Sequence, residues 1–327
     1  MNKIITRTAA ALCAAATLSA GSVFADFTDM PNDSSRQALE NAVKNGLLTG
    51  YDTGEIKPYD NITRAQMAAI ITRAFGAEST ADLSSYKDMK EGQWYYDAMS
   101  KAVAMNAFQG DGENLNPESN ITFQEAFAVL ARVFDLQSSY DIEKIVAEIK
   151  KEEAPTQMNT EALDKFSDKA EIADWAVPTT LAIVEGGYWS GKGGALTPTA
   201  YINRSEFATV MDNLVQVYID ETGEYTAEET DKNVLVRSKD VTLDNVKGKK
   251  SAVFVGDSTD NVTLGSGVDI DKLVVRGGNV KAKGTYNQIR MIGHNIVTDI
   301  SEVTKVKVQV YGRYPDSKVY LGVKDVG

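Results

Sequence analysis

Two arginines occupy the first position of predicted helices, where a positive charge is mildly unfavourable. Arg64 follows Thr63 in the segment NITRAQ, and Arg204 follows Asn203 in INRSE. A helix N-terminus carries a partial positive charge, so a cation there opposes the helix dipole. Free backbone N–H groups and a planar guanidinium could instead bind a carboxylate or phosphate in bidentate fashion. The two arginines are therefore candidate anion-binding residues, and intramolecular pairing or solvation of the guanidinium is the alternative.

The residues around the arginines are explained by the helices themselves. In each of three segments, a Thr or Asn is followed three residues later by Gln or Glu, which predicts a capping box. The pairs are Thr63 with Gln66, Thr122 with Glu125, and Asn203 with Glu206. The middle segment has Phe123 where the others have arginine, so we expect an anion site there to be absent or altered.

The three segments close three copies of a longer repeat. Each copy opens with an aromatic residue and an aspartate, then has an amphipathic helix, a turn, a glycine and a proline. The aspartates are Asp29, Asp88 and Asp168, and the glycines are Gly50, Gly110 and Gly191. The isoleucine before each cap residue follows its aspartate by 33, 33 and 34 residues. This spacing predicts three homologous helix–loop–helix units.

Tryptophans follow the aspartates of the second and third copies. Trp94 comes six residues after Asp88 and Trp175 seven after Asp168, while the first copy has Ser35 and Arg36 near that place. A tryptophan in a helical unit is more often a core residue. A ring beside an arginine also suits a sugar that carries an acid group, so both interpretations stay open.

The remaining chain predicts a connector and a β domain. The insertion 141–165 between the second and third copies has an apolar stripe, which indicates a helical connector with no expected function. After residue 229 the hydrophobic period changes from 3.6 to 2, and short β-branched runs alternate with Gly, Asn and Asp. Residues 231–327 are therefore predicted to form a small all-β domain, either a short β-solenoid or a sandwich, with the solenoid favoured.

The first 25 residues are typical of a secretory signal peptide. Lys3 and Arg7 precede an apolar run from Ala9 to Ala20, and cleavage is expected before Asp26. Cys13, the single cysteine, falls in this segment, so the mature chain is predicted to lack disulfides, zinc–thiolate sites and cysteine nucleophiles. No other run approaches the roughly 20 apolar residues that span a bilayer.

Charge divides the chain. Residues 26–230 contain 35 acidic and 16 basic residues, a net charge of −19, whereas residues 231–327 contain 11 and 16, a net charge of +5. This asymmetry predicts at least two parts with different surroundings. No motif points to nucleic-acid binding.

The repeated pattern resembles the S-layer homology (SLH) domain. The segments FTDM, GLLTGYDTGEIKPYDNITRAQ and GGALTPTAYINRSE carry the resemblance. It implies a multidomain chain with an all-α trio of SLH repeats, packed as a pseudo-threefold prism of helices whose grooves bind cell-wall polymer. The predicted boundaries are 26–80, 81–140 and 166–222, hereafter units 1, 2 and 3.

The resemblance also implies which residues contact the wall polymer. They are Arg64, Arg204, Trp94, Trp175, Gly50, Gly110, Gly191, Asp29, Asp88 and Asp168. This sequence departs from the family pattern in having Gln66 for a glutamate, Phe123 for the second arginine and no tryptophan in unit 1. We therefore expect unequal binding by the three grooves.

The expected function is a secreted, non-enzymatic cell-wall or S-layer anchor of a bacterium that displays its β domain and takes no cofactor or metal. The resemblance implies one of two ligands, an anionic pyruvylated secondary polysaccharide or peptidoglycan decorated with cationic polyamines. The acidic charge of residues 26–230 favours the cationic ligand, whereas Arg64 and Arg204 favour the anionic one, which we expect. Other envelope proteins are further possible partners.

The competing hypothesis is a wall-anchored polysaccharide-degrading enzyme. Its activity would lie in the β domain, with Asp257 and Asp260, or Asp269 and Asp271, as a carboxylate pair. Aspartates in turns are more often turn formers, and a single histidine, His294, offers no relay.

Overall fold

The computed structural model describes residues 5–7, 27–227, 231–314 and 316–320. The predicted signal peptide, with Cys13, lies outside these residues except for the short strand β1 (Ile5–Arg7). Within the described residues, a helical part is followed by a β-solenoid. The predicted fold class is confirmed.

Each unit contributes two α-helices. They are α1 (Ser35–Lys44) and α2 (Arg64–Phe75) in unit 1, α3 (Tyr96–Ala104) and α4 (Phe123–Val133) in unit 2, and α6 (Val177–Glu185) and α7 (Arg204–Leu214) in unit 3. The connector forms α5 (Ser139–Lys150). Short 3₁₀ helices span Glu161–Leu163, Lys169–Glu171 and Asp174–Ala176.

The second helix of each unit begins with a complete capping box. In α2, the Thr63 hydroxyl accepts from the Gln66 amide at 3.2 Å, and the Gln66 side chain accepts from the Thr63 amide at 3.0 Å. Helices α4 and α7 repeat this reciprocal pair. The predicted caps are confirmed, and they satisfy backbone groups that a helix start leaves without an intrahelical partner.

Three isoleucines close the units into a ring. The Ile62 amide donates to the Ile202 carbonyl at 3.0 Å, the Ile121 amide to Ile62 at 3.0 Å, and the Ile202 amide to Ile121 at 3.1 Å. All three side chains are fully buried. Because each unit donates to one neighbour and accepts from the other, the bonds follow a pseudo-threefold axis, which is the prism that the resemblance implies.

The solenoid is built from parallel strands. They are β2 (Val217–Ile219), β3 (Gly223–Ala227), β4 (Val234–Val236), β5 (Asp240–Asp244), β6 (Lys247–Val255), β7 (Asn261–Leu264), β8 (Asp269–Val275), β9 (Asn279–Met291), β10 (Val297–Gly312) and β11 (Lys318–Tyr320). One ladder runs β2-β4-β6-β8-β9, and the other runs β3-β5-β7-β9 and continues to β10 and β11. Every described strand pair is parallel except β1 with β3.

These ladders coil in about five turns around an interior of Val, Leu and Ile side chains. A sandwich would pair its strands antiparallel, so the parallel ladders identify the solenoid among the two predicted alternatives. Strand pairing begins at β2, earlier than the predicted start of the β domain at residue 231. Strands β2 and β3 have only three and five residues, too few for a clear period of 2.

One face of the solenoid packs on the C-terminal ends of the helices. The rings of Phe254 and Phe134 lie 5.0 Å apart, and Phe134 lies 4.9 Å from Phe75 of α2. Buried residues of β4, β6 and β8 therefore belong to the same apolar cluster as the helical core. The two parts share a core rather than being joined only by a linker.

Basic residues of the solenoid meet the carbonyl ends of these helices. Arg237 donates to the carbonyl of Asn45, which ends α1, at 2.7 Å. Arg276 donates to Met105, which ends α3, at 2.9 Å and to Val133 of α4 at 3.2 Å. A helix C-terminus carries partial negative charge, so cations are favourable there. Part of the difference in charge between the two parts is thus explained by solenoid arginines that pair with the carbonyl ends of the helices.

Candidate functional site

Arg64 reaches from unit 1 into the loop of unit 2. Its Nε donates to the Leu115 carbonyl at 2.8 Å, and one terminal nitrogen donates to the Gln109 carbonyl at 3.0 Å. The guanidinium lies over the Phe108 ring, 5.2 Å from its centroid, and 3.9 Å from a Glu125 oxygen. Burial lowers the pKa of Arg64, and the Glu125 charge opposes that shift.

Arg204 repeats this arrangement between units 3 and 1. Its Nε donates to the Ile56 carbonyl at 2.7 Å, and a terminal nitrogen donates to Thr49 at 2.8 Å. The guanidinium lies 5.1 Å from the centroid of the Tyr51 ring. Arg204 is only 5% exposed, so it is a buried cation that links two units.

Phe123 occupies the same place between units 2 and 3. Its ring lies 5.2 Å from that of Trp189, and both side chains are buried. An aromatic contact therefore replaces the guanidinium-to-carbonyl bonds found at the other two junctions.

The backbone amides at the helix starts are already paired. The amides of Arg64 and Ala65 donate to the carbonyls of Ser119 and Pro117 at 2.9 and 2.8 Å. Helices α4 and α7 donate in the same way, through the amides of Phe123, Gln124, Arg204 and Ser205. The acceptors are carbonyls of the loop around the repeat proline of a neighbouring unit, hereafter the proline loop. The expected receptor of free amides is therefore wrong, because the neighbouring unit takes the place of the anion. Intramolecular pairing also accounts for two donors of each guanidinium.

The three opening aspartates fasten the proline loop within their own units. Asp29 accepts from the amides of Ile56 and Lys57, each at 2.7 Å. Asp88 and Asp168 accept in the same way from the two residues before their prolines, at distances between 2.6 and 3.0 Å. The second amide in each pair belongs to a residue with positive φ, namely Lys57, Asn116 and Thr197. The carboxylate holds this unfavourable backbone in place.

The three repeat glycines pack tightly, and two of them lie beside an arginine contact. A Cβ at Gly50 would lie 2.0 Å from the Phe27 ring, and one at Gly110 would lie 2.3 Å from the Asn114 carbonyl. At Gly191 the Ala195 carbonyl would be 2.4 Å away. The carbonyls of the residues that precede Gly50 and Gly110 are the ones that accept from Arg204 and Arg64.

Both tryptophans of the repeat are exposed rather than part of the core. Trp94 is 62% and Trp175 is 55% exposed, and each comes two residues before the first α-helix of its unit. Measured from the helix start, the corresponding residue of unit 1 is Asp33, not the predicted Ser35 or Arg36. Asp33 accepts from the Ser35 amide at 2.8 Å.

The junctions differ in openness. Trp94 lines a cleft of about 380 Å³ between α2 and α3, together with Arg73, Asp97 and Lys101. Between α7 and α1, a void of only about 10 Å³ remains, and Asn41 donates to Asp212 there at 2.8 Å. The position in unit 1 that corresponds to Trp94 therefore has no tryptophan, and the junction between α7 and α1 is closed.

Arg64 and Trp94 are not brought together in this cleft. The α2 residues that line it are Ala69, Thr72 and Arg73, and Arg73 is nine positions, or about 13 Å along the axis, from Arg64. Arg73 is instead the arginine beside the tryptophan, and Lys101 in the same cleft pairs with Asp97 at 2.7 Å. The prediction overlooked Arg73 and its counterpart in α4, Arg132, although both stand nine residues after the first helical position.

Comparison with known proteins gives the family. A family model described as the S-layer homology domain matches residues 26–68 and 85–127. The chain therefore contains S-layer homology domains. The third unit lies outside the matched ranges, and it shares their isoleucine ring, aspartate contacts and capping box.

Several relatives are cell-surface proteins. The Surface-layer 125 kDa protein of Lysinibacillus sphaericus is 27% identical over 263 residues, 77% of this chain and 19% of that protein. The Cellulosome-anchoring protein of Acetivibrio thermocellus is 28% identical over 196 residues, 58% of this chain and 40% of that protein. An exoglucanase, XynX, of Acetivibrio thermocellus is 24% identical over 191 residues, 58% and 16% respectively.

The chain spans less than a fifth of the first two curated relatives it matches, XynX and the Lysinibacillus protein. The SLH domains and the cell-surface relatives support a cell-wall or envelope location. Among the described residues, no helix is long and apolar enough to cross a membrane. Over the same part of the chain, no cluster of His, Cys, Asp or Glu side chains could hold a metal ion.

Proposed function

We propose that this S-layer homology protein is a non-enzymatic anchor that binds an acidic wall polymer at two of its three unit loops. The observation that carries the proposal is a pair of guanidinium groups on each of the loops of units 1 and 2. A third pair is missing on unit 3. The following contacts define the pairs.

The loop of unit 2 lies between Arg64 and Arg132. Arg132 donates to the Ala107 carbonyl at 3.3 Å, two residues before the carbonyl that Arg64 contacts. Burial lowers the pKa of Arg132, and the nearby charge of Arg64 lowers it further. The two cations are thus close enough to repel each other, and an acidic ligand group would relieve that repulsion.

The loop of unit 1 lies between Arg204 and Arg73. Arg73 donates to the Leu47 carbonyl at 3.3 Å, and Arg204 to Thr49 two residues later. Arg73 is exposed and lines the Trp94 cleft. A guanidinium beside an exposed ring suits an acid-bearing sugar, since the ring covers the sugar's C–H face and the cation pairs with its acid group.

The loop of unit 3 has neither cation. Phe123 stands at the place of Arg64, and Asn213 donates to the Tyr188 carbonyl at 3.1 Å at the place of Arg73. Unit 3 therefore offers no charge for an acidic group at this loop. We infer two acidic-polymer sites per chain.

The choice of an anionic polymer, such as the pyruvylated secondary polysaccharide, rests on these pairs. The net charge of residues 26–230 favours a cationic ligand at long range, but screening over about 8–10 Å leaves local contacts in control. Trp94 in unit 2 and Trp175 in unit 3 would supply the ring surfaces. The glycines and aspartates would shape the loops without contacting the polymer.

The solenoid is proposed as a displayed, non-catalytic part. The match to the Lysinibacillus surface-layer protein is too long to fit within the helical units, whereas the XynX match of 191 residues is not. Asp257, one of the candidate catalytic aspartates, is partly buried, with 17% of its side chain exposed, and it pairs with Arg276 at 3.3 Å. Asp271 accepts from Asn287 at 2.7 Å. Both contacts favour structural roles.

The proposal is tested by sedimentation of the full chain with purified cell walls, before and after chemical removal of the secondary polysaccharide. Arg73→Gln with Arg132→Gln should reduce the bound fraction at least about tenfold, as each lost charged hydrogen bond contributes about 1.5–3 kcal/mol. Arg36→Gln is the matched control, because Arg36 is an exposed helical arginine paired with Glu40.

Equal binding by the double variant and the parent would contradict the arginine pairs. Binding that survives removal of the polysaccharide would point to peptidoglycan instead. Sustained release of reducing ends from wall polysaccharides by the full chain would favour the enzyme alternative.

A further inference from the structure

A cleft of about 660 Å³ lies between unit 3, the connector and the solenoid. Its lining includes Tyr188 and Asn213 from unit 3, Ile142 from α5, and Phe254 from β6. The volume is within the range of small-molecule sites, which occur preferentially where domains meet. Neither the arginine loops nor the tryptophan clefts of the proposed anchor are part of it.

Three of the residues that distinguish unit 3 from units 1 and 2 line this cleft. Tyr188 stands where unit 1 has Leu47 and unit 2 has Ala107, and Asn213 stands where they have arginine. Gly186 is part of the same change, because a Cβ there would lie 2.2 Å from the Tyr188 ring. Three linked differences within one chain, all lining one cavity, indicate a site rather than a gap left by packing.

The solenoid contacts the C-terminal ends of α1 and α3 through arginines, but the end of α6 faces the cleft. It covers the last carbonyls of α1 and α3 with Arg237 and Arg276, at Asn45 and Met105. Gly186, which ends α6 at the equivalent position, lines the cleft instead. A helix end presents hydrogen-bond acceptors with partial negative charge, so this end favours a ligand rich in hydroxyl donors.

The connector helix supplies one wall of the cleft. Helix α5 is fixed by Glu185, which accepts from the Ser139 amide and hydroxyl, each at 2.7 Å. The sequence of this insertion predicts a helical connector without a function. Its position gives it one, because Ser139 and Ile142 line the cleft.

The charges around the cleft balance. Lys232, Lys250 and Lys272 line it together with Glu185, Asp231 and Asp271. Amide side chains, the Tyr188 ring and apolar side chains complete the lining, which therefore offers hydrogen-bond donors and acceptors together with apolar surface. Vicinal hydroxyls of a sugar both donate and accept, and their C–H faces pack on apolar surface.

We propose that this cleft binds a neutral oligosaccharide, as a second glycan site separate from the arginine loops. The site would let the protein hold an uncharged glycan segment while the loops hold acidic groups. Because it spans both parts of the molecule, a bound glycan would also contact the solenoid and the helical units at once.

The test is isothermal titration of the full chain with cellotetraose, chitotetraose and maltotetraose, with tetraglycine as a peptide probe. Two variants, Tyr188→Leu and Asn213→Arg, give unit 3 the residues that unit 1 has at the equivalent positions. Since unit 1 folds with these residues, we expect both variants to fold, and thermal unfolding checks this. Arg36→Gln is the control.

The expected result is binding of at least one tetrasaccharide, weakened about tenfold or more by each variant and unchanged in Arg36→Gln. The absence of binding of all three tetrasaccharides to the parent protein would overturn the proposal, whatever the variants do. Equal affinity in the folded variants, or binding of tetraglycine in preference to the sugars, would also overturn it. Failure of the anchor proposal would instead appear in the wall assay alone.

Discussion

Units 1 and 2 share their main backbone contacts with unit 3 but differ from it in side chains. All three contribute an isoleucine to the buried ring, an aspartate that holds the proline loop, and a capping box. Only units 1 and 2 have two arginines on their loops and a solenoid arginine at the end of their first helix. The residues that form the scaffold are thus common to all three units. The residues that do not form it differ, with arginines at the loops of units 1 and 2 and cleft-lining residues in unit 3.

The largest loss of stability is expected when the contact between the solenoid and unit 2 is broken. Arg276→Ala removes a fully buried cation, leaves Asp257 without its partner and uncovers the ends of α3 and α4. Loss of one partner of a buried pair costs about 3–5 kcal/mol. Chemical denaturation should show a loss of this size. Arg276→Met with Asp257→Leu should recover much of it, and a single variant as stable as the parent would contradict the buried contact.

The next effect tests whether the three units share one scaffold. Asp88→Ala removes a carboxylate that accepts from two backbone amides, Leu115 and Asn116. We expect a loss of about 3 kcal/mol in the free energy of unfolding. Asp29→Ala and Asp168→Ala should give similar losses, measured in the same way. A loss confined to one unit would show that the aspartates are not equivalent.

A smaller effect concerns the helix caps. Thr63→Ala removes the hydroxyl that accepts from the Gln66 amide, and Thr122→Ala does the same in unit 2. Each should cost about 1 kcal/mol of stability by thermal or chemical unfolding, with wall binding unchanged. Lost wall binding in a stably folded Thr63→Ala variant would mean that the cap residue contacts the polymer.

The smallest effect is a pH dependence that only the loop of unit 2 should show. Asp111 accepts from the amides of Glu113 and Asn114 at 2.9 and 2.7 Å, and these bonds lower its pKa to about 2. The stabilisation is therefore complete above the ordinary pKa of 3.8 and is lost as the pH falls towards about 2. Unit 3 has Lys192 at this place.

Hydrogen exchange of the Glu113 and Asn114 amides, recorded from pH 5 to about pH 2, measures this dependence. Protection of these amides, after correction for intrinsic exchange, should fall at the acidic end and should already be low in Asp111→Ala. Undiminished protection at the acidic end would contradict the prediction.

Local features of the fold were predictable, and contacts between units were not. The capping boxes follow from residues three positions apart, and the repeat follows from equal spacing. The partners of Arg64 are Gln109 and Leu115, which are 45 and 51 residues away. No local pattern shows that these carbonyls and the proline loops satisfy the donors that were assigned to an anion.

The part of the site formed by residues at repeated positions could be predicted from the sequence. Arg73 and Arg132 share a position in their helices, and a search for all basic residues common to two units would have found both. The cleft at Tyr188 could not be predicted, because it depends on how α5 and the solenoid pack against unit 3. That packing is set by tertiary contacts rather than by a local pattern.

The number of acidic-ligand sites tests the central claim most directly. Isothermal titration of the full chain with a pyruvylated wall disaccharide should give two sites, because two loops hold arginine pairs. Arg132→Gln should remove the site of unit 2 and Arg73→Gln the site of unit 1, leaving one in each variant. Three equivalent sites, or a site count that neither variant changes, would contradict the assignment of binding to the arginine pairs.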